Sequence, residues 1–184
     1  MRSILNSWFV ARADEDHHHE VIRAMIKWLN FFASLSDKVG EELEPTDWFS
    51  LDQQATDVYA ALIGDLDAMH NDPTWEGTAQ WGGTIVVGTQ GLCLLPWLLT
   101  QHGFPIDPQT QVYFEPLRVE RVRFIASLNV GQRAKARVVV RDVSADAPSV
   151  WRVKTEHTID REHAERPFMH ALLEARYTLR SAPS

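Results

Sequence analysis

The sequence predicts an α+β fold in which an antiparallel sheet curls around one long buried helix. Two observations lead there. The longest apolar segment, GGTIVVGTQGLCLLPWLLTQHG from Gly82 to Gly103, is apolar all round, as a helix enclosed on every side must be. Beyond Gly103 the pattern changes to a two-residue alternation: Arg133, Lys135, Arg137, Val139 and Arg141 interleave with Ala134, Ala136, Val138 and Val140, and Arg152, Lys154 and Glu156 with Trp151, Val153, Thr155 and His157. Those are half-buried antiparallel strands. With QVYFE, RVERVRFIAS and the terminal ALLEARYTL they make roughly five strands needing one apolar body to cover, and the helix opening near Gly88 is the one available.

Earlier elements follow from local signals. Val21, Ile22, Met25, Ile26, Leu29, Phe32 and Leu35 recur at helical spacing after Asp14, Glu15 and Asp16, which suit a helix N-terminus, so an amphipathic helix is expected there. VGEELEPTDWFSL alternates loosely and carries a proline, which reads as an edge strand or extended lead-in. It runs into Ser50-Leu51-Asp52-Gln53, a capping box, and a helix to about Ile63 with Leu51, Ala55, Val58 and Leu62 as its apolar face. Gly64 ends that helix and leaves Asp65 to His70 in the loop beyond it; Asp72-Pro73 can start a further short turn. Pro96 lies inside the long apolar helix, lacks a backbone donor and should bend it.

Composition narrows the class. A chain of 184 residues with 45% hydrophobic content can bury a sizeable core, and one compact domain is expected. The single cysteine, Cys93, permits no internal disulfide and reads as a small core residue in a reduced, cytoplasmic protein. No apolar stretch approaches the roughly 20 residues that span a bilayer. The formal charge of −7 opposes wholesale nucleic-acid binding. Arginines nevertheless crowd residues 118 to 141, where a small anion could dock or an exposed sheet face could simply be solvated. His17, His18 and His19 resemble a metal tract, but consecutive helical residues diverge and no second cluster completes a site, so no metal is assigned.

Four segments in order, VGEELEPTDWFSLDQQATDVYAALIGD, the GDxxxxH loop followed by NDP, WGGTIVVG, and RVRFIASLNVGQRAKARVVV, resemble the MaoC-like dehydratase family of the hotdog fold, most closely its nodulation-protein-N-like branch. The resemblance runs from about Val39 to Tyr177, so residues 1–38 are expected to be a helical extension and 39–184 the hotdog domain. It implies an (R)-specific 2-enoyl-CoA hydratase or 3-hydroxyacyl-CoA dehydratase that uses no cofactor and acts on an acyl-CoA thioester, as a homodimer. It implies Asp65 and His70 as the groups that hold and activate water, and the Gly88 amide as the group that meets the thioester oxygen. Gly83, Val87, Arg121 and Arg123 are the expected substrate contacts, the arginines for the phosphates of coenzyme A, with Arg133, Lys135 and Arg137 as further candidates. The chain departs from the family where Asp67 and Ala68 replace Asn-Pro, where Val87 replaces a histidine, and where Tyr113, Phe114 and Glu115 replace Asn-Tyr-Gly.

The chemistry has its own argument. Adding water across a double bond conjugated to a thioester needs a base for the water, an acid for the α-carbon and a stabiliser for the enolate oxygen. Asp65 and His70 in an apolar neighbourhood supply the first two; a helix opening at Gly88 supplies the third, since its first amides are unpaired and no side chain blocks approach. Cys93 has no histidine beside it and no serine sits in a strand-turn-helix elbow, which weighs against nucleophilic catalysis. The glycines at 82, 83, 88 and 91 lack both the phosphate-loop ending and dinucleotide spacing. A hotdog module that binds an acyl thioester or a partner without turnover is the alternative, and a thioesterase the next.

Overall fold

The structure, a computed structural model, describes residues 22–24, 26–106 and 110–179. Helical residues 22–24 and 26–36 form α1. Then come α2 (Gln53–Ile63), α3 (Ala68–Asn71), a 3-10 turn (Glu76–Gln80), α4 (Gly88–Cys93) and α5 (Leu95–Thr100). Four strands follow among the described residues: β1 (Val112–Phe124), β2 (Ala134–Ala147), β3 (Val150–Arg161) and β4 (Met169–Leu179). They pair antiparallel in the order β1-β4-β3-β2, and the sheet wraps the α4–α5 rod, which is the expected α+β architecture.

The alternation read from sequence decides which face is inward. Ala134, Ala136, Val138 and Val140 of β2, Trp151, Val153, Thr155, His157 and Ile159 of β3, and Ala171, Leu173, Ala175 and Tyr177 of β4 are all buried, against Leu95, Leu98 and Leu99 of α5. Two expected strands are one: QVYFE and RVERVRFIAS run together as β1, which absorbs the change of direction in bulges after Pro116 and after Glu120 rather than in a turn. The lead-in, residues 40–49, lies along the outer side of β2, with Gly40, Leu43, Thr46 and Phe49 amides donating to Val140, Val138, Ala136 and Ala134 carbonyls at 2.8–2.9 Å. Pro45 breaks that ladder into isolated bridges, as expected for an edge.

Several expectations are corrected. Helix α2 is capped by Asp52, whose carboxylate accepts from the Ala55 amide at 2.8 Å, and not by a Ser50 box. Its apolar face points outward: Val58 is 65% and Leu62 81% exposed, while Thr56 and Ala60 are buried. Helix α1 buries Trp28, Phe32 and Leu35, one turn apart, and leaves Ile22, Ile26 and Leu29 in solvent. Phe32 stacks on Trp151 with ring centroids 4.5 Å apart, so α1 shares the single core. Val21, Met25, Asp14 to Asp16 and His17 to His19 lie outside the described residues.

The central rod is interrupted at Leu94. Pro96 cannot donate back to Leu92, so Leu94 tightens onto the Gly91 carbonyl at 3.2 Å and the α pattern resumes with Leu98 donating to Leu94 at 2.9 Å. One side of the rod stays open, with Thr89, Trp97 and Cys93 exposed, so Cys93 is no core residue. Its thiol lies 3.5 Å from the Tyr59 hydroxyl of α2.

His157 makes the core acid-sensitive. Burial first, then the neighbouring charges of His102 and His170, pushes its pKa down to about 3. Its Nε2 lies 2.9 Å from Thr155 Oγ1, and Nδ1 meets no partner among the described residues. An unfolded histidine takes up its proton near pH ~6.5, so between the two values the unfolded chain binds more protons than the folded one. The stability that this neutral ring contributes is complete above that upper value and drains as the pH falls, by about 1.4 kcal/mol per pH unit. Thermal melts at about pH 7.5 and about pH 5 should show a larger loss in the wild type than in His157→Gln; equal losses would place the acid-sensitive group elsewhere.

Candidate active site

The site is assembled by the way α2 ends. Gly64 takes the left-handed conformation, φ 77°, which only glycine adopts without strain, and its amide returns to the carbonyls of Ala60 and Ala61. The chain therefore turns sharply at Asp65. Asp67, one of the departures noted from sequence, caps α3 by accepting from the Met69 amide at 3.0 Å. His70, expected in a loop, sits on this one-turn helix.

His70 is buried, and its Nδ1 lies 2.7 Å from the Ile85 carbonyl. A carbonyl can only accept, so Nδ1 carries the proton and donates it. In the neutral ring this leaves a lone pair on Nε2, which faces Asp65 Oδ2 at 3.7 Å. That gap is too long for a direct hydrogen bond and short enough for one water to touch both groups. The Asp65 side chain is 41% exposed, so the pair is not enclosed by apolar surroundings as expected: the imidazole is covered and the carboxylate meets solvent.

His70 and Gly88 line the same cleft, of about 390 Å³, together with Ile85, Val86, Phe124, Ile125, Ala126, Ser127 and Phe168. Gly88 opens α4, so its N–H is one the helix itself does not use. A side chain there would press on the Phe124 ring, 3.1–3.3 Å from an added Cβ. A second cleft, of about 380 Å³, is lined by Arg121, Arg123, Ile125, Thr158, Pro167 and His170. Ile125 belongs to both, so the basic cleft adjoins the His70 cleft. Arg121 sits in the second bulge of β1 at φ 52°, which turns it out of the regular alternation.

No family model matches the chain. Over 141 residues it is 29% identical to Nodulation protein N of Rhizobium leguminosarum bv. viciae, which spans 76% of this chain and 86% of that protein. The solved MaoC-like dehydratase from Rhodospirillum rubrum shares the fold with a TM-score of 0.59, covering 79% of this chain and 94% of that one at 16% identity. Over 104 residues the chain is 30% identical to 3-hydroxyacyl-thioester dehydratase Z of Mycobacterium tuberculosis, 56% of this chain and 67% of the relative. The chain belongs to the MaoC-like dehydratase family of the hotdog fold.

Within this MaoC-like chain the residues singled out from sequence fall into separate places. His70 and Gly88 line one cleft, Asp65 lies 3.7 Å from the His70 ring without being one of the cleft's lining residues, and Arg121 and Arg123 share the next cleft. Gly83 and Val87 do not line the His70 cleft: Val87 is a buried cap residue of α4, and Gly83 packs toward Asn129. Arg133, Arg137 and Arg141 are taken by Glu162, by Asp160 with Glu42, and by Glu156, and Lys135 lies over the Trp48 ring. That strip is an internally paired sheet face. Glu115 is likewise held by Arg176, at 2.9 Å. Phe124, Ser127 and Phe168 are lining residues that the sequence did not single out; the apolar-to-small change in FIAS, at the close of a MaoC-like strand segment, is the available signal. Among the described residues no cluster could hold a metal ion, and no helix is long and apolar enough to cross a membrane.

Proposed function

We propose that the chain hydrates trans-2-enoyl thioesters of coenzyme A to (R)-3-hydroxyacyl thioesters, and catalyses the reverse dehydration. The observation that carries this reading is the separation of His70 Nε2 from Asp65 Oδ2, with the ring's other nitrogen committed to Ile85, beside the cleft that Gly88 lines. A water placed between the two groups loses a proton to this acceptor pair as its oxygen bonds to the β-carbon. The electron pair of the double bond moves onto the thioester, whose oxygen takes the Gly88 amide as donor. The proton then passes to the α-carbon, which leaves both groups as they began. The relatives named for dehydratase activity support the reaction class.

The adjoining basic cleft suits the phosphates of coenzyme A. Arg121→Ala and Arg123→Ala should each raise KM for a coenzyme A thioester by about threefold to tenfold with kcat nearly kept, the loss of one screened phosphate contact. A thioester of N-acetylcysteamine, which has no phosphate, should show no change; equal effects on both substrates would remove the arginines from this role. A homodimer belongs to the same reading, because among the described residues no further strand lies beside β1, where Leu117, Val119 and Phe124 are exposed.

A panel of enoyl-CoA substrates, followed by loss of the conjugated absorbance with a thiol assay in parallel, tests the function. Absorbance should fall without thiol release. Thiol release would instead mark a thioesterase, and tight binding without either change a module that holds its ligand.

A further inference from the structure

The spacing that assigns Gln53 to a capping box does not describe its side chain, which turns the other way. Its Nε2 donates to the His70 carbonyl at 2.6 Å and to Asp57 Oδ1 at 2.7 Å, while its Oε1 accepts from Thr84 Oγ1 at 2.6 Å. Both partners of the nitrogen are pure acceptors, and a flipped amide would set oxygen against oxygen, so this orientation is fixed by the network. No other side-chain group of this size donates twice and accepts once in that geometry.

The three bonds join three elements. Gln53 is the first residue of α2, His70 is on α3, and Thr84 precedes the segment that leads into Gly88. The neighbouring Ile85 already accepts from the His70 ring and donates its own amide to Met69, at 3.0 Å. The imidazole is therefore held to residues 84–85 from two directions: directly by its ring, and through its backbone carbonyl by way of Gln53. That carbonyl lies in the last turn of a one-turn helix, where no further turn supplies a donor.

We infer that Gln53 is the positioning residue of the site: its amide fixes His70 against the Thr84–Ile85 segment, and so sets the distance from Nε2 to Asp65 and to the Gly88 amide. It does not line the cleft that His70 and Gly88 share. This rests on the proposed hydration, so its test needs a readout that survives if that reaction is wrong.

Gln53→Met keeps length and volume while removing all three bonds. In that variant kcat for enoyl-CoA should fall roughly ten- to a hundredfold, with KM within about twofold, because the acid-base pair is misplaced while substrate contacts remain. Thr84→Val, which frees the amide to rotate, should lower kcat by less, and the double variant should be no slower than Gln53→Met alone. The independent readout is the imidazole 15N spectrum, with the His70 signals assigned by their loss in His70→Gln. The wild type should show one neutral tautomer, protonated at Nδ1, and Gln53→Met a mixture. An unchanged His70 spectrum in Gln53→Met overturns the inference, whether or not kcat falls, and so does a rise in KM that accounts for the whole loss. If the wild type hydrates no thioester, the functional reading fails, and the spectrum alone decides this one. Should Gln53→Met not fold, the His70 spectrum of Thr84→Val decides in its place: a tautomer mixture supports the inference and an unchanged signal overturns it.

Discussion

Asp65→Asn and His70→Ala are each expected to lower turnover of enoyl-CoA by more than about a hundredfold, the usual cost of deleting an acid-base group. The asparagine substitution is the cleaner of the two. The Asp65 carboxylate has His70 as its ionisable neighbour, at 3.7 Å, and is partly in solvent, while its backbone amide holds to Ala60 at 2.9 Å and is unaffected. The variant should therefore melt as the wild type does and lose only the anionic acceptor for water. His70→Ala also leaves the Ile85 carbonyl without its 2.7 Å partner in a buried place, which costs about 1–3 kcal/mol of stability in addition. The double variant should be little slower than either single one, since in the proposed mechanism the two groups act on one water as a unit. Unchanged rates in both single variants would reject the mechanism.

Gly91→Ala should be the most damaging small substitution in the rod. An added Cβ would stand 2.3 Å from Phe168 Cε1 and 3.0 Å from Met169 Sδ. Two effects compete, because alanine favours a helix over glycine by about 1 kcal/mol while overpacking costs about 1–3 kcal/mol. Overlap wins here, because the backbone behind the ring cannot retreat. The Phe168 amide donates to Ile159 at 2.7 Å and its carbonyl accepts from Ile125 at 2.8 Å. The ring itself must move, and it is part of the wall of the His70 cleft. With the overlap in the upper part of its range, about 2–3 kcal/mol, the net loss is about 1–2 kcal/mol, a fall of about 2–8 °C in Tm, with the acyl preference shifted toward smaller chains. A Tm within about 1 °C of the wild type would show that the ring swings aside freely.

What the sequence made legible follows from how local each signal is. Alternation along β2 and β3 needs no knowledge of neighbours, and it located the inward residues from Ala134 to Ile159. The stop at Gly64 and the opening at Gly88 depend on backbone conformation, and both stand where expected. That His70 and Gly88 line one cleft required the fold; the sequence reading reached the pair through the family resemblance and the needs of the chemistry, not through spacing. Val58 and Leu62 share one face of α2, but periodicity cannot say whether that face meets the core or the outside. The bulge that redirects Arg121 and the neutralisation of Arg133 and Arg137 depend on partners far along the chain. The same holds for Gln53, whose local spacing suggests a cap while its side chain is engaged elsewhere.

The two margins of the sheet are unequal, and this limits how copies can add to one another. Beside β2 the stretch with Pro45, Glu41, Glu42 and Glu44 makes only scattered bridges and repels a flat newcomer. Beside β4 the long β1 remains receptive. In the proposed homodimer, strand-by-strand growth would begin at that side only and be finished once it is occupied, which would favour a closed two-fold body over fibres.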